Sequence, residues 1–302
     1  MKRVIVTGAT SMLGIAVIEE CIRNNIEVVA VIRENSTRIQ RLPVSDLITK
    51  VYADSSDYPD IPFKEHADIL YHFMWEYSHK EGRDNPLLQA KNIDITMRVI
   101  DYAHTIGCRR IVFAGSQAEY GPKEGCIKEN AVVNPQTAYG MAKYATSLLA
   151  EKMCQQYGIE YIWSRIFSVY GKYDNDSSMI SQAIDKLMKG EKVFFSSGEQ
   201  YWNYLYESDA GKIFYALGVQ ELDSGIYNVA NPTNRQLKEY INDILHFFPK
   251  AEYEFAHNEK GQLISLHADT TKLFSAIGNT DTVSFASGIK IIIDSMNKRA
   301  DC

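Results

Sequence analysis

The chain has 302 residues, of which 45% are hydrophobic and 23% are charged, and its formal net charge is −6. This is the composition of an ordinary globular protein, and the acidic balance argues against non-specific binding to nucleic acid. No apolar run approaches the ~18 residues that span a bilayer. The N-terminus also lacks a signal-peptide pattern, so we expect a cytoplasmic protein that does not bind membranes. The five cysteines and seven histidines show no metal-ligand spacing, so we expect reduced thiols and no metal site.

Short apolar runs alternate with amphipathic segments through the first half of the chain. The runs predict buried strands at residues 4–6, 28–32, 69–73, 111–113 and 159–167, and the segments predict helices at 13–23, 87–104 and 138–156. Strands that alternate with helices form a parallel sheet covered on both faces. We therefore expect an α/β fold with a Rossmann-type, doubly wound parallel sheet.

The pattern becomes less regular after residue 170. Aromatic-rich runs at 193–195 and 201–206 follow, with helical patterns at 179–189, 209–217 and 235–248. Asp, Asn and Ser cluster in residues 171–178, which marks a crossing between two regions. We therefore predict that residues 171–302 mostly form a smaller, substrate-binding α/β cap, with some C-terminal segments returning to the sheet.

The segment V-I-V-T-G-A-T-S-M-L-G, which ends at Gly14, predicts a strand, a tight turn and a helix start. Gly8 permits the turn, and Gly14 lets the helix pack closely on the sheet. Backbone N–H groups at the start of such a helix face a pyrophosphate. Residues 1–170 are thus predicted to form a dinucleotide-binding Rossmann domain, with cofactor contacts from Gly8, Thr10, Ser11, Met12, Leu13 and Gly14.

Arg33 follows the second predicted strand. At this position an Asp or Glu favours NAD, whereas an Arg accepts the 2′-phosphate of NADP. The alternative is a solvated basic face, because Arg38 and Arg41 are close behind. We expect NADP(H) to be preferred, with NAD(H) possible.

Three further residues end predicted strands near the cofactor. Asp54 stands where a carboxylate accepts a hydrogen bond from the adenine amino group; the alternative is a turn-forming Asp. His72 and Phe73 end the fourth strand, on the edge where open α/β sheets bind dinucleotides. For His72 the alternative is a structural histidine.

Tyr139 and Lys143 form a Y-x-x-x-K pattern on the third predicted helix, where a spacing of four places both on one face. A phenol has an ordinary pKa of about 10, and a neighbouring ammonium lowers that pKa. The lysine is also placed to hold the nicotinamide ribose. Ser116, just beyond the strand at 111–113, is placed to donate to a substrate oxygen. The three residues predict catalysis of carbonyl/alcohol redox chemistry.

Seven segments occur in the order found in one enzyme family: TGATSMLG, YHF, AKNIDIT, GSQAEYG, YGMAK, RIFSVYG and GIYNVANPT. On these segments the chain resembles the extended short-chain dehydrogenase/reductase family, in its nucleotide-sugar epimerase/dehydratase group. The resemblance implies NAD(P) in the N-terminal part, contacted also by Asn92, and a nucleoside-diphosphate sugar in the C-terminal part. It further implies a homodimer formed through the helices predicted at 87–104 and 138–156.

The residues beside Ser116 bear on the reaction. Dehydratases of the group carry an acid pair where this chain has Gln117 and Ala118, so sugar dehydration is disfavoured. A 4-ketoreductase and a 4-epimerase remain, since both move a hydride at C4. Arg33 favours NADPH, and the GSQAEYG and RIFSVYG segments are similar to ketoreductases such as CDP-abequose synthase. The preferred hypothesis is reduction of a 4-keto-6-deoxy nucleotide sugar with Tyr139 as proton donor; the alternative is a 4-epimerase with tightly bound NAD.

Other classes share parts of these patterns. A reductase of a small aldehyde, ketone or acyl-CoA would have the same residues up to Lys143 and differ in the cap. A cofactor-binding regulatory protein would be expected to lack Tyr139 or Lys143, and both are present. The candidate substrate contacts are Gln117, Glu119, Arg165, Ser168 and Tyr204; for Tyr204, packing in the core is the alternative.

Overall fold

The computed structural model describes residues 2–256 and 264–300. The strands are β1 (Arg3–Thr7), β2 (Glu27–Ile32), β3 (Ile48–Tyr52), β4 (Ile69–His72), β5 (Arg110–Ser116), β6 (Glu160–Ile166), β7 (Ser168–Tyr170), β8 (Val193–Phe195), β9 (Tyr201–Trp202), β10 (Tyr204–Tyr206), β11 (Gly225–Val229), β12 (Arg235–Gln236) and β13 (Tyr253–Phe255). The α-helices are α1 (Met12–Arg23), α2 (Pro86–Thr105), α3 (Ala138–Tyr157), α4 (Met179–Met188), α5 (Glu207–Val219), α6 (Leu237–His246), α7 (Thr271–Ile277) and α8 (Phe285–Ala300).

A seven-stranded parallel sheet forms the centre of the molecule, in the order β11-β6-β5-β4-β1-β2-β3. Its strands are continuous Val- and Ile-rich runs because both faces are covered. In β1, Val4 and Val6 contact the core under α1 and α5, while Ile5 contacts the core under α2 and α3. This confirms the predicted doubly wound α/β sheet. The order reverses between β1 and β4, and open α/β sheets bind ligands at such a point.

The predicted elements of the first half are confirmed to within a few residues at their ends. The edge strand β3 lacked a clear pattern, because Thr49, Lys50 and Tyr52 are exposed and only Val51 is fully buried. Segments after residue 170 also join the main sheet: β11 pairs with β6, and α5 packs beside α1. The boundary at residue 170 stays a prediction.

The remaining C-terminal elements surround a separate core of aromatic and aliphatic side chains. Tyr170 from β7, Tyr204 from β10, Tyr240 from α6 and Phe285 from α8 meet there within ring-centroid distances of 4.7–5.7 Å. The run predicted at 201–206 is two strands, because Asn203 leaves the strand and binds the backbone of Asn231. Within the described ranges, no helix combines the length and apolar character needed to cross a bilayer.

Candidate active site

The glycine turn after β1 is built for close approach of backbone to backbone. Gly8 has φ of +68°, and a Cβ placed on it would lie 2.8 Å from the backbone nitrogen of Met74. Ser11 caps α1, since its Oγ accepts a hydrogen bond from the N–H of Gly14 at 3.1 Å. Thr10 Oγ1 lies 3.5 Å from Ser36 Oγ, which connects the turn to the loop after β2. The N-terminus of α1, which includes Met12 and Leu13, therefore faces the carboxyl edge of the sheet, where its N–H groups suit a pyrophosphate.

We expect Gly8→Ala to weaken NAD binding by about ten-fold or more, a loss of about 1.4 kcal/mol. The new methyl group would both strain the positive φ and push the turn away from β4. Gly158→Ala is the matched control, because Gly158 also has φ of +68° but a Cβ there meets nothing within 4 Å. Calorimetric titration of both variants with NAD checks the result. Equal affinities in the two variants would contradict a role of this turn in cofactor binding.

Arg33 and Asp54 follow β2 and β3 at the same edge. Arg33 is exposed directly after Ile32, and its carbonyl accepts the N–H of Ser36. Asp54 opens the 3₁₀ turn Ser55–Asp57, and its backbone N–H donates to the Asp57 carboxylate at 2.5 Å. Asp54 thus has the turn-forming role named as its alternative, and its side chain is half-buried; a contact with the adenine stays a prediction.

The side chains of His72 and Phe73 are occupied inside the fold. His72 Nδ1 lies 2.7 Å from Thr7 Oγ1, and Nε2 lies 3.3 Å from Thr96 Oγ1. Phe73 is buried and packs against Phe214 at 4.9 Å between ring centroids. His72 therefore has the structural role named as its alternative, and the backbone of Phe73 lies against the glycine turn; a contact of these two residues with the cofactor stays a prediction.

Protonation of His72 is expected to destabilise the fold in acid. Burial, with a smaller contribution from the Lys143 ammonium, lowers the pKa of His72 to about 3. The unfolded chain binds this proton below about pH 6.5 and the folded chain does not, so stability is lost as the pH falls through that window. We expect His72→Gln to reduce the slope of the free energy of unfolding against pH by up to about 1.4 kcal/mol per pH unit. Urea unfolding between about pH 7 and pH 5 tests it, with His104→Gln, an exposed histidine of α2, as control. Parallel curves for wild type and His72→Gln would contradict it.

The turn after β5 holds Ser116 in place through a buried carboxylate. Glu119 accepts hydrogen bonds from the Ser116 N–H at 2.8 Å and Trp163 Nε1 at 2.9 Å, and pairs with Arg165 Nε at 2.8 Å. Glu119 is 0% exposed and Arg165 is 1% exposed. The guanidinium also lies over the ring of Tyr120 at 4.4 Å. The expectation that Glu119 and Arg165 contact substrate is therefore corrected: each is satisfied by the other inside the protein.

Helix α3 brings Tyr139 and Lys143 to this turn. Thr137 caps the helix by accepting from the N–H of Gly140 at 3.1 Å. Gly140 allows α3 to pack against the turn after β5, since a Cβ on Gly140 would lie 2.5 Å from the carbonyl oxygen of Ala118. The side chains of Tyr139 and Ser116 are close enough to interact, so the structure brings together the serine and tyrosine that the sequence pattern predicted.

Lys143 lies behind these two residues and is almost completely buried. Its Nζ donates to the carbonyl oxygen of Ala114 at 2.6 Å and lies 3.5 Å from the ring centroid of Trp75 and 5.8 Å from that of Tyr139. Burial lowers the pKa of Lys143 to about 7. Burial also raises the pKa of Tyr139, and this rise is opposed by the charge of Arg83 and by the hydrogen bond from Ser116. For Tyr139, desolvation favours the neutral phenol, and nearby positive charge favours the phenolate.

The segment after β4 adds two residues that the sequence patterns did not identify. Trp75 packs edge-to-face on Tyr139 at 6.0 Å, and the guanidinium of Arg83 lies 3.9 Å from the centroid of the same ring. Asn92 holds this segment, since its amide bonds both the N–H and the carbonyl of Glu76 at 2.8 and 3.1 Å. Asn92 is thus buried as a support under the site. A strand end on the dinucleotide edge was the only sequence signal for Trp75 and Arg83.

The other candidate substrate residues lie in different surroundings. Gln117 begins the 3₁₀ turn Gln117–Glu119 and is half-buried beside Ser116, and Ser168 is half-buried at the start of β7. Tyr204 is 8% exposed and packs against Tyr170 and Tyr240 in the cap core. The expectation that Tyr204 contacts substrate is corrected, because its ring is buried among the aromatic side chains of the cap core.

This arrangement of groups suits proton transfer coupled to hydride transfer. Ser116 and Tyr139 present two hydroxyls at the carboxyl edge of the sheet, and two cations, Lys143 and Arg83, flank the phenol. The hydroxyls fit a carbonyl or alcohol oxygen. The glycine turn and the N-terminus of α1 lie along the same edge, where a dinucleotide binds in such sheets.

Comparison with known proteins agrees with the geometry. The model of the NAD dependent epimerase/dehydratase family matches residues 4–230. A putative UDP-glucose 4-epimerase from Methanocaldococcus jannaschii is 25% identical over 304 residues, which cover 97% of this chain and 98% of that protein.

Two solved structures have the same fold. The UDP-N-acetylglucosamine 4-epimerase from Methanobrevibacter ruminantium, in complex with UDP-N-acetylmuramic acid, has a TM-score of 0.88 at 20% identity, over 99% of each chain. The UDP-glucuronic acid 4-epimerase from Bacillus cereus, in complex with UDP-glucuronic acid and NAD, has a TM-score of 0.82 at 20% identity, over 98% of this chain and 99% of that one. With a family model matched over most of its length and the Ser116, Tyr139 and Lys143 constellation at the expected edge, this chain belongs to the NAD dependent epimerase/dehydratase family.

Proposed function

We propose that this protein is an NAD-dependent nucleotide-sugar 4-epimerase. The observation that carries the proposal is the grouping of Ser116, Tyr139 and Lys143 at the carboxyl edge that also holds the glycine turn, in a chain whose relatives include UDP-sugar 4-epimerases. The preference for a 4-ketoreductase rested on Arg33 and on two short segments. The relatives described above favour the epimerase instead, and one of the solved structures holds NAD. The proposal therefore replaces NADP(H) by NAD as the expected cofactor.

The residues of the centre would act in two half-reactions. When bound, NAD would supply the acceptor for the hydride that leaves C4 of the sugar, and the donor that later returns it. Tyr139 would take the proton of the C4 hydroxyl while the C–H bond at C4 breaks, which leaves a 4-keto sugar. Ser116 would donate a hydrogen bond to the same oxygen. After rotation of the 4-keto sugar in the cap, the hydride would return to the opposite face of C4, and Tyr139 would return the proton to the oxygen. The overall reaction would therefore consume no reductant.

The residues of the N-terminal edge fit such a cofactor. Gly8 keeps the turn flat against β4, and Ser11 caps α1 with its hydroxyl while the first backbone N–H groups of the helix remain at the edge. Asp54 would accept a hydrogen bond from the adenine amino group at this edge. Arg33 is exposed beside it and would decide whether a 2′-phosphate is also tolerated. The nucleoside-diphosphate sugar would lie between Ser116 and the cap, near Gln117 and Ser168.

We also propose that two copies pair through α2 and α3. Met141, Leu148 and Leu149 on α3 are 53%, 50% and 49% exposed, which is unusual for large apolar residues on one helix. Light scattering on the purified protein tests this, and a monomer mass would contradict it.

Cofactor identification and a substrate panel test the proposed reaction together. The purified protein is denatured, and released nucleotides are identified by mass spectrometry; NAD or NADH is expected. The untreated protein is then incubated with UDP-glucose, UDP-galactose, UDP-N-acetylglucosamine and UDP-glucuronic acid without added reductant. Formation of a C4 epimer supports the proposal. Release of NADP, together with turnover only when NADPH and a 4-keto sugar are added, would restore the reductase.

A further inference from the structure

The segment that carries Arg83 is tied to the catalytic helix. Gln89, 1% exposed on α2, donates to the carbonyls of Tyr77 and Gly82, each at 2.8 Å. Asp84 accepts the N–H of Ala138, the first residue of α3, at 2.8 Å. Arg83 donates to the carbonyl of Ser78 at 2.9 Å. The 3₁₀ turn Lys80–Asp84 is thus attached on both sides, and its guanidinium is held over the ring of Tyr139 at 3.9 Å.

The two cations beside Tyr139 differ in how firmly they hold their charge. Lys143 is buried, gives its hydrogen bond to Ala114, and lies against the indole of Trp75 rather than the phenol. Because burial lowers its pKa to about 7, Lys143 loses part of its charge near neutrality. A guanidinium remains protonated throughout this range. Within the described part of the chain, Arg83 is therefore the permanent positive charge nearest the ring of Tyr139.

We propose that Arg83 is a second cation of the catalytic centre, which stabilises the phenolate of Tyr139 when this residue acts as base. Arg83 acts through Tyr139 and is in this sense a positioning residue. A planar guanidinium over a phenol ring gains more from a phenolate than from a neutral phenol, since the ring then carries the negative charge. The inference rests on the proton-transfer role proposed for Tyr139 and adds a residue outside the Y-x-x-x-K pattern.

Other charged and titratable groups around Tyr139 act in both directions. Glu119, in the turn below, disfavours the phenolate, and Lys143 from the same helix favours it. His72 is neutral between Thr7 and Thr96 and contributes no charge at neutral pH. Asp84 lies at the start of α3 and is bonded to its first N–H. Among the side chains that the structure describes, the charged or titratable groups placed around the phenol are Arg83, Lys143 and Glu119, with His72 beside Lys143.

Titration of Tyr139 itself tests the inference without any substrate. The full-length protein is labelled with carbon-13 at the hydroxyl-bearing carbon of its tyrosines and saturated with NAD. The Tyr139 signal is assigned by its loss in Tyr139→Phe. The pH midpoint is then measured in wild type, in Arg83→Gln, in Arg83→Met, which keeps an apolar stem over the ring, and in Arg83→Lys. Arg98→Gln is the matched control, since Arg98 pairs with Asp94 on the surface of α2.

We expect Arg83→Gln and Arg83→Met to raise the midpoint by about one pH unit, a ten-fold loss of phenolate at a given pH. Arg83→Lys should restore most of the wild-type value, and Arg98→Gln should leave it unchanged. The inference would be overturned if either neutral variant had the same pH midpoint as the wild type. It would also be overturned if the wild-type phenol stayed protonated to about pH 10. Failure of the proposed function would appear separately, as absence of any epimer in the substrate panel.

Discussion

Tyr139→Phe is expected to lower kcat by about 10²–10⁴-fold, the usual contribution of a general acid–base group. The phenylalanine ring keeps its contacts with Trp75 and Arg83, so only the hydroxyl beside Ser116 is lost. NAD affinity should change little, because Lys143 and the glycine turn are intact. Initial rates of C4 epimerisation and calorimetric NAD binding measure the two effects.

The matched control for this substitution is Tyr157→Phe. Tyr157 lies at the C-terminal end of the same helix, where its hydroxyl donates to Asp101 at 2.9 Å. This variant should retain wild-type turnover. Equal activity of Tyr139→Phe and Tyr157→Phe would remove Tyr139 from the mechanism, whichever sugar is the substrate.

Glu119→Gln is expected to destabilise the protein by about 3–5 kcal/mol, as when one partner of a buried ion pair is removed. Arg165 would then be a buried charge without its carboxylate partner, and it would keep only its contacts with the carbonyl oxygen of Glu129 at 3.2 Å and with the Tyr120 ring. The amide oxygen can still accept from Ser116 and Trp163, but the amide nitrogen would then replace Oε2 and face the Nε–H of Arg165, donor against donor. Urea unfolding followed by circular dichroism measures the change.

The exposed pair of Asp185 and Lys189 provides the comparison. These two side chains are 49% and 60% exposed and lie 2.7 Å apart on α4. Asp185→Asn should cost less than about 1 kcal/mol, because solvent screens the pair. A loss of similar size in both variants would show that burial of the Glu119–Arg165 pair has no special effect on stability.

The residues that the sequence patterns predicted correctly are those whose spacing is local. Buried Val and Ile runs predicted the parallel strands, Gly8 and Gly14 predicted the turn into α1, and the spacing of Tyr139 and Lys143 placed them on one helical face. These features depend on backbone geometry within one element or between neighbouring elements. Local pattern was therefore sufficient for the fold class and for placing Ser116, Tyr139 and Lys143 together.

The residues whose contacts the sequence patterns did not predict have partners far along the chain. Glu119 and Arg165 are 46 positions apart and neutralise each other, so neither is free to contact substrate. His72 uses both ring nitrogens on Thr7 and Thr96, and Tyr204 is surrounded by aromatic rings from β7, α6 and α8. No local pattern reports such tertiary contacts. The preference for the reductase rested on the exposed Arg33 and on two short segments, and neither signal distinguishes cofactor release from cofactor retention.

Transfer of deuterium tests the proposed 4-epimerase most directly. A UDP-sugar that carries deuterium at C4, chosen from the substrate panel, is incubated with the purified protein and an excess of unlabelled NADH, and the products are examined by NMR and mass spectrometry. If hydride leaves and returns within one bound cofactor, the product is the C4 epimer and deuterium remains at C4. Loss of deuterium from C4 into the free nicotinamide pool, or recovery of a 4-keto or decarboxylated product in place of the epimer, would contradict the proposed function.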